Sequence, residues 1–172
     1  MAELLAQEKL QPALLDRLID DEPTQQKEAA ERRVMNRSQL RQAVLRDLQW
    51  LLNAVQLSPK SLTGAEEVKN SVVNYGLPAL SGETATQISH GEIEEAVRLA
   101  IIRFEPRIDA KSLYVSVIRG GSILDTHNVL QLQIRGQLWA QPTPLELLLR
   151  TSLDLETGQI SITDSNGRGA GS

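Results

Sequence analysis

The hydrophobic period of this chain changes at Phe104-Glu105-Pro106-Arg107, from helix spacing before it to strand alternation after it. Pro106 disfavours the α region for the preceding residue, so we expect a helix to end here. If Glu105 and Arg107 are both extended, their side chains leave the backbone on the same side and form an ion pair. A carboxylate beside an arginine stays ionised, so this pair suits a structural role better than proton donation.

Upstream of this point, apolar residues recur at helix spacing. The first core helix is expected to begin at an N-cap Ser38. Its inward stripe contains Leu40, Val44, Leu48, Leu51, Leu52 and Val55. A second helix is expected over about residues 65–74, with Gly76 at its C-terminal stop, and a third over residues 92–103.

Downstream, alternation predicts strands over residues 113–118, 130–135 and 145–155, with a bulge at Gly136 and a short fourth strand after a turn at residues 156–158. Helices followed by strands with short connections predict an α+β domain. Its architecture is an antiparallel four-stranded meander packed against about three helices.

Three regions are expected along the chain. Residues 1–37 read as an amphipathic, helical N-terminal arm, and residues 38–163 as the α+β domain. Residues 164–172, which contain three glycines, are expected to be a flexible tail.

Composition narrows the classes of function. A net charge of −4 disfavours a general nucleic-acid binder, and the absence of cysteine excludes disulfide and thiolate chemistry. No apolar run is long enough to span a bilayer, and the N-terminus lacks the pattern of a secretory signal. We therefore expect a cytoplasmic protein without direct membrane insertion.

Motifs for metals and cofactors are weak. His90 and His127 have no ligand spacing with each other or with nearby carboxylates, so no metal site is predicted. Gly120-Gly121 has no following Lys-Ser/Thr and indicates a hairpin turn rather than a phosphate loop. No cofactor is expected.

Glycoside hydrolysis needs only two suitably placed carboxylates, so it is a real alternative. Glu92, Glu94 and Glu95 are candidates by residue type, but they also supply the acidic first turn of a helix. An ionised Glu105 beside Arg107 has the wrong state for a general acid. We assign no catalytic residue and expect a protein that is not an enzyme.

Two features leave partner binding open. Arg33, Arg37 and Arg41 are spaced by four and form either a solvated face or a basic ridge for an acidic partner, although a cap at Ser38 would interrupt the ridge. Leucines in residues 10–18 form a short apolar stripe, which either folds back on the core or docks on a partner.

Several segments, in order, resemble one family. They are Leu14-Leu15-Asp16-Arg17-Leu18, residues 46–53 (RDLQWLLN), residues 68–77 (VKNSVVNYGL), Phe104-Glu105-Pro106-Arg107 and residues 154–158 (DLETG). Together they are similar to the TssE family, the baseplate wedge subunits of type VI secretion systems. That family is related to a wedge protein of contractile-phage baseplates and was historically labelled lysozyme-related.

The resemblance implies a structural role. Its expected partners are the wedge subunits TssF, TssG and TssK and the sheath subunits TssB/TssC, whose strands an exposed sheet edge would accept. It makes Glu105, Pro106 and Arg107 a core motif for wedge and sheath assembly. Residues Leu14, Leu15, Asp16, Arg17 and Leu18 are implied to anchor the subunit to its wedge neighbours, at a baseplate docked on the inner-membrane complex. A peptidoglycan-cleaving, lysozyme-like hydrolase and the equivalent wedge protein of a phage tail-like particle are the alternatives.

Overall fold

The computed structural model describes residues 13–18, 35–57, 62–79, 89–118, 129–140 and 143–165. The helices are α1 (Leu14–Leu18), α2 (Arg37–Asn53), α3 (Glu66–Lys69), the 3-10 turn η1 (Val72–Asn74) and α4 (His90–Phe104). The strands are β1 (Tyr114–Val117), β2 (Val129–Leu138), β3 (Leu145–Asp154) and β4 (Ile160–Asp164). Helices precede strands, and the predicted α+β class is confirmed.

The strands form one antiparallel sheet in the order β1-β2-β3-β4, which is the predicted meander. Alternate residues of each strand face the helices, and α2 packs against α4 and β4 while α4 lies along β1. The apolar core is aliphatic and lies between this sheet face and the two long helices. Its most deeply buried members include Val44, Leu48, Ile101, Ile134, Leu138, Leu149 and Leu153.

The N-cap of the first core helix lies two residues before the predicted cap. The Asn36 side chain accepts the Gln39 N–H at 2.9 Å, and the Gln39 side chain accepts the Asn36 N–H at 2.9 Å. This reciprocal capping box satisfies two otherwise free donors, so Asn36 and not Ser38 is the N-cap. At the other end α2 stops at Asn53, and Val55, predicted for the buried stripe, is 69% exposed.

The single helix predicted over residues 65–74 is wrong, because α3 and η1 replace it. The reason lies in Asn74, whose side chain is buried. It accepts the Leu57 N–H at 3.0 Å and donates to the Lys69 carbonyl at 3.1 Å, and these bonds tie the segment to its neighbours in a non-helical path. Val72, within the range of that predicted helix, is 80% exposed.

Gly136 does not mark a bulge. The β2–β3 pairing continues through it, with Gly136 opposite Leu147. A Cβ at this position would lie 3.2 Å from Cγ2 of Ile108, so glycine here makes room for the chain that follows α4.

We predict that Gly76→Ala strongly destabilises the fold. Gly76 has φ +121°, and a Cβ there would lie 2.3 Å from the backbone oxygen of Ala54. The added strain and clash are expected to lower the free energy of unfolding by about 3 kcal/mol or more. Gly64 is a matched control, since its φ is +80° but a Cβ would meet nothing within 4 Å. Gly64→Ala should cost about 1 kcal/mol. Equal costs in urea unfolding would contradict the role given to the Gly76–Ala54 contact.

Candidate functional site

The corner after α4 is a tight turn. The Glu105 N–H donates to the Ile101 carbonyl at 2.8 Å and ends the helix, and the Ile108 N–H donates to the Glu105 carbonyl at 3.1 Å. Pro106 is therefore the second residue of a four-residue turn, where proline is favoured. The predicted pairing of Glu105 with Arg107 is confirmed, but a turn and not an extended backbone brings the two side chains together.

The Glu105–Arg107 pair is internal. Glu105 is 3% exposed, and the Arg107 side chain is 24% exposed. Arg107 Nε donates to Glu105 Oε1 at 2.6 Å, Nη2 donates to Oε2, and the Arg107 backbone N–H donates to Oε1 at 3.2 Å. Such a two-pronged, charge-assisted arrangement offsets the cost of removing the carboxylate from water.

Asp47 of α2 extends this pair. Its Oδ2 accepts a hydrogen bond from Arg107 Nη2 at 2.5 Å, and its Oδ1 accepts one from Arg46 Nε at 2.9 Å. Burial alone lowers the pKa of Arg107, but the hydrogen bonds and charges of Glu105 and Asp47 outweigh it and raise that pKa above its ordinary value. Arg107 therefore stays charged between two carboxylates.

Arg46 carries the network to the N-terminal helix. Its Nη1 lies 2.6 Å from Oδ1 of Asp16, whose side chain is only 10% exposed, and its guanidinium lies 5.2 Å from the centre of the Trp50 ring. The hydrogen bond that Arg46 donates to Asp16 is the largest cause of the raised pKa of Arg46. We call the connected charges Glu105, Arg107, Asp47, Arg46 and Asp16 the ionic chain.

The segment at residues 68–77 reaches the same place through Tyr75. The Tyr75 hydroxyl donates to the Asp47 carbonyl at 3.4 Å, and its ring forms a T-shaped pair with the Phe104 ring, the centroids 5.2 Å apart. Burial first, and then the charges of Asp47 and Glu105, raise the pKa of Tyr75. Four segments that are distant in sequence thus converge on one cluster.

Helix α1 is attached to the rest of the domain by Asp16 and not by its leucines. Asp16 points inward to Arg46, whereas Leu14 is 75% exposed, Leu18 72% and Leu15 41%. The apolar stripe within α1 does not fold back on the core. Arg17 belongs to α1, but its side chain lies outside the described part of the structure.

Two arginines of the predicted basic ridge bind groups of the same chain. Arg37 donates to the Thr143 carbonyl at 2.8 Å, and Arg41 binds Asp164 at 2.6 Å and the Glu146 carbonyl at 2.8 Å. Both arginines bind the sheet side of the same molecule, and Arg37 remains solvent-exposed whereas Arg41 is half-buried. Arg33 lies outside the described residues, and β4 continues through Asp164, one residue past the expected end of the domain.

Two of the carboxylates considered for catalysis, Glu94 and Glu95, make contacts within the fold. Glu94 Oε1 accepts the Val117 N–H at 2.7 Å, and Glu95 pairs with Arg98 at 2.8 Å. In the part of the chain that the structure describes, no group of three or more His, Asp or Glu side chains is arranged to hold a metal ion. His90 is the first residue of α4, and His127 lies outside the described residues. No helix among the described residues is long and apolar enough to cross a membrane.

We predict that Arg107→Ala lowers the free energy of unfolding by about 3–5 kcal/mol, because it leaves Glu105 buried without its cation. Arg98→Ala is the matched control, since it breaks an Arg–Glu pair whose side chains are 37% and 52% exposed. That exposed pair should contribute little. Urea unfolding followed by circular dichroism measures both variants, and similar losses would show that the buried pair does not stabilise the corner.

Comparison with known proteins covers three of the five segments that carry the resemblance, namely residues 46–53, 68–77 and 104–107. A family model described as baseplate wedge protein gp25 matches residues 38–143, more than half of the chain, from α2 to just before β3. The match contains every member of the ionic chain except Asp16. No curated protein and no solved structure matches this chain. The chain belongs to the family of the baseplate wedge protein gp25.

Proposed function

We propose that this chain is a non-enzymatic wedge subunit of a type VI secretion baseplate, which joins the wedge to the sheath and forms the platform for sheath polymerisation. Membership of a baseplate wedge family supports the general role, and the resemblance to the TssE family supports the secretion system. The proposed partners are TssF, TssG and TssK in the wedge and TssB/TssC in the sheath. The proposed place is the cytoplasmic baseplate at the inner-membrane complex. A phage tail-like particle is the alternative setting and would use the same surfaces.

The orientation of α1 is the observation that supports this proposal most strongly. A five-residue helix is not stable alone in water, so its position depends on what holds it. The Asp16–Arg46 ion pair holds it with Leu14 and Leu18 pointing outward. Burying each of these leucines against a partner would contribute about 1.5–3 kcal/mol. We propose that Leu14, Leu15 and Leu18 form the wedge-docking surface.

Glu105 and Arg107 have an indirect part in this proposal. A carboxylate that is 3% exposed makes no direct contact with a partner, whereas Pro106 beside it is exposed. We propose that the pair acts through Asp47 and Arg46, which together place α1 for docking. A change in the Glu-Pro-Arg motif would then weaken partner binding mainly because it moves α1 from its docking position.

We expect the purified chain to release no products from peptidoglycan. Glu105, the carboxylate at the corner after α4, is bound on both oxygens by Arg107 and is not placed to protonate a leaving group. The measurement is muropeptide release against a lysozyme positive control. Turnover that disappears on Glu92→Gln or Glu94→Gln would contradict the non-enzymatic role.

We predict that the double substitution Leu14→Ala and Leu18→Ala weakens binding to the wedge subunits at least about tenfold, as truncation of interface anchors does. Both side chains are exposed, so the free energy of unfolding should change by less than about 0.5 kcal/mol. Co-purification with the wedge subunits and a binding titration measure the first effect, and thermal melts the second.

Val72 and Val73 provide the matched control, because they are 80% and 68% exposed, close to the exposure of Leu14 and Leu18. Val72→Ala with Val73→Ala removes a similar apolar surface elsewhere. This control should bind wedge subunits like the wild type. Equal weakening by the two double variants, or no weakening by either, would contradict docking through α1.

A further inference from the structure

One face of the sheet packs against α2 and α4, and the side chains of the opposite face are mostly polar. We call this opposite face the outer sheet face. The cross-strand register places Tyr114, Arg135 and Leu148 side by side in one row of it. In the next row Gln133 lies directly opposite Arg150. These two rows occupy the middle of the outer sheet face.

Arg135 and Arg150 are exposed cations without a counterion. They are diagonal neighbours on β2 and β3, because Arg135 pairs with Leu148, two residues before Arg150. Residues in this relation are about 7–8 Å apart. Within the part of the chain that the structure describes, neither guanidinium has a hydrogen bond or an ion pair. Glu146 lies on the same face, but it makes no ion pair with either arginine.

Arginines elsewhere in the molecule are treated differently. Arg41, Arg46, Arg98 and Arg107 each bind a carboxylate of the chain. Acidic residues are in excess, at 22 against 18 basic residues. The two middle rows of the outer sheet face nevertheless contain two cations and no carboxylate. They form a local positive patch on an acidic chain, and such a patch is complementary to an anionic group of another molecule.

Aromatic side chains accompany this patch. The chain has only two tyrosines and two tryptophans, and one of each lies at the outer sheet face. Tyr114, directly opposite Arg135, is 69% exposed. Trp139 continues the alternation of β2 and is 64% exposed between the buried Leu138 and Ala140. Tyrosine, tryptophan and arginine are the residues most enriched among the anchors of protein interfaces, whereas lysine and glutamate are depleted there.

We propose that the outer sheet face is a docking surface for an acidic segment of a partner protein. Carboxylates of that segment bind Arg135 and Arg150, since a guanidinium matches a carboxylate with two parallel hydrogen bonds. Tyr114 and Trp139 contact its apolar groups. A net charge of −4 and a patch of two cations fit a peptide better than the phosphates of a nucleic acid, which require a basic stripe.

This surface is separate from the wedge-docking surface. Helix α1 is attached to α2 through Arg46, in the helix layer on the other side of the sheet. The chain can therefore bind partners on both sides at once. That the partner at the outer sheet face is a wedge or sheath subunit rests on the proposed function.

Charge reversal tests the surface against purified wedge subunits and sheath protomers. Arg135→Glu with Arg150→Glu should weaken binding of at least one of them more than about tenfold, because like charges then face each other. Arg98→Glu with Arg103→Glu is the matched control, since it changes the net charge equally but lies on α4. Thermal melts check that both variants fold. Equal weakening by the two pairs, or unchanged binding of every subunit, would overturn the proposal.

The isolated wild-type chain provides a test that does not depend on the proposed function. Poly-L-glutamate is the probe, and nuclear magnetic resonance follows the side-chain N–H signals. Those of Arg135, Arg150 and Trp139 should shift, while the indole N–H of Trp50, 51% exposed on α2, should not. If the chain binds no wedge or sheath subunit, the proposed function fails and this titration still decides the surface. Absence of shifts at both arginines would overturn the inference.

A nucleic acid is the competing ligand in the same titration. Single-stranded oligothymidylate with the same number of negative charges replaces poly-L-glutamate. We expect smaller shifts of Arg135 and Arg150 with the oligonucleotide than with the polypeptide. Larger shifts with the oligonucleotide would overturn the assignment of the outer sheet face to carboxylates.

Discussion

Arg107 binds two carboxylates at once, Glu105 at the corner after α4 and Asp47 on α2. A carboxylate as buried as Glu105 costs several kcal/mol unless a cation accompanies it. Because Arg107 supplies that cation and also binds Asp47, these ion pairs fix the position of the corner relative to α2. Arg46 then transmits the arrangement to Asp16 and α1. We propose that the position of the exposed leucines depends on this ion pair at the opposite end of the ionic chain.

Local patterns predicted the elements that depend on local physics. A period of 3.6 residues and then of 2 located α2, α4 and all of the strands, and short connections led to the meander. The pairing of Glu105 with Arg107 was also predictable, since the two residues are neighbours in sequence. The predictions failed at positions where one polar side chain determines the course of the backbone. Asn36 does so at the start of α2, and Asn74 does so in the segment that contains α3 and η1.

Contacts distant in sequence were beyond prediction for a different reason. Asp47 and Arg107 are sixty residues apart, and no periodicity relates them. The spacing of Arg37 and Arg41 suggested an outer ridge, because helix periodicity does not reveal that the sheet offers carbonyl groups and Asp164 on that side. The resemblance of separate segments to one family was the signal that those segments belong together, and four of the five meet at the ionic chain or at Tyr75 beside it.

The molecule divides its surface between closed and open features. Asn53 and Gln49 bind the outward backbone groups of Ile160 in β4, whereas Leu14 and Leu18 of α1 stay exposed. A subunit of an assembly needs surfaces that stay available until its partners arrive. Exposed leucines on α1 have that property.

The account depends on coupling along the ionic chain, and a double-mutant cycle between Asp16 and Arg107 tests it most directly. These two residues share no hydrogen bond, and Arg46 and Asp47 stand between them. Urea unfolding of Asp16→Ala, Arg107→Ala and the double variant gives the coupling free energy. We expect a coupling of about 0.5 kcal/mol or more, as members of one charged network show. Losses that add to within about 0.3 kcal/mol would contradict the account, because α1 would then be held independently of the corner.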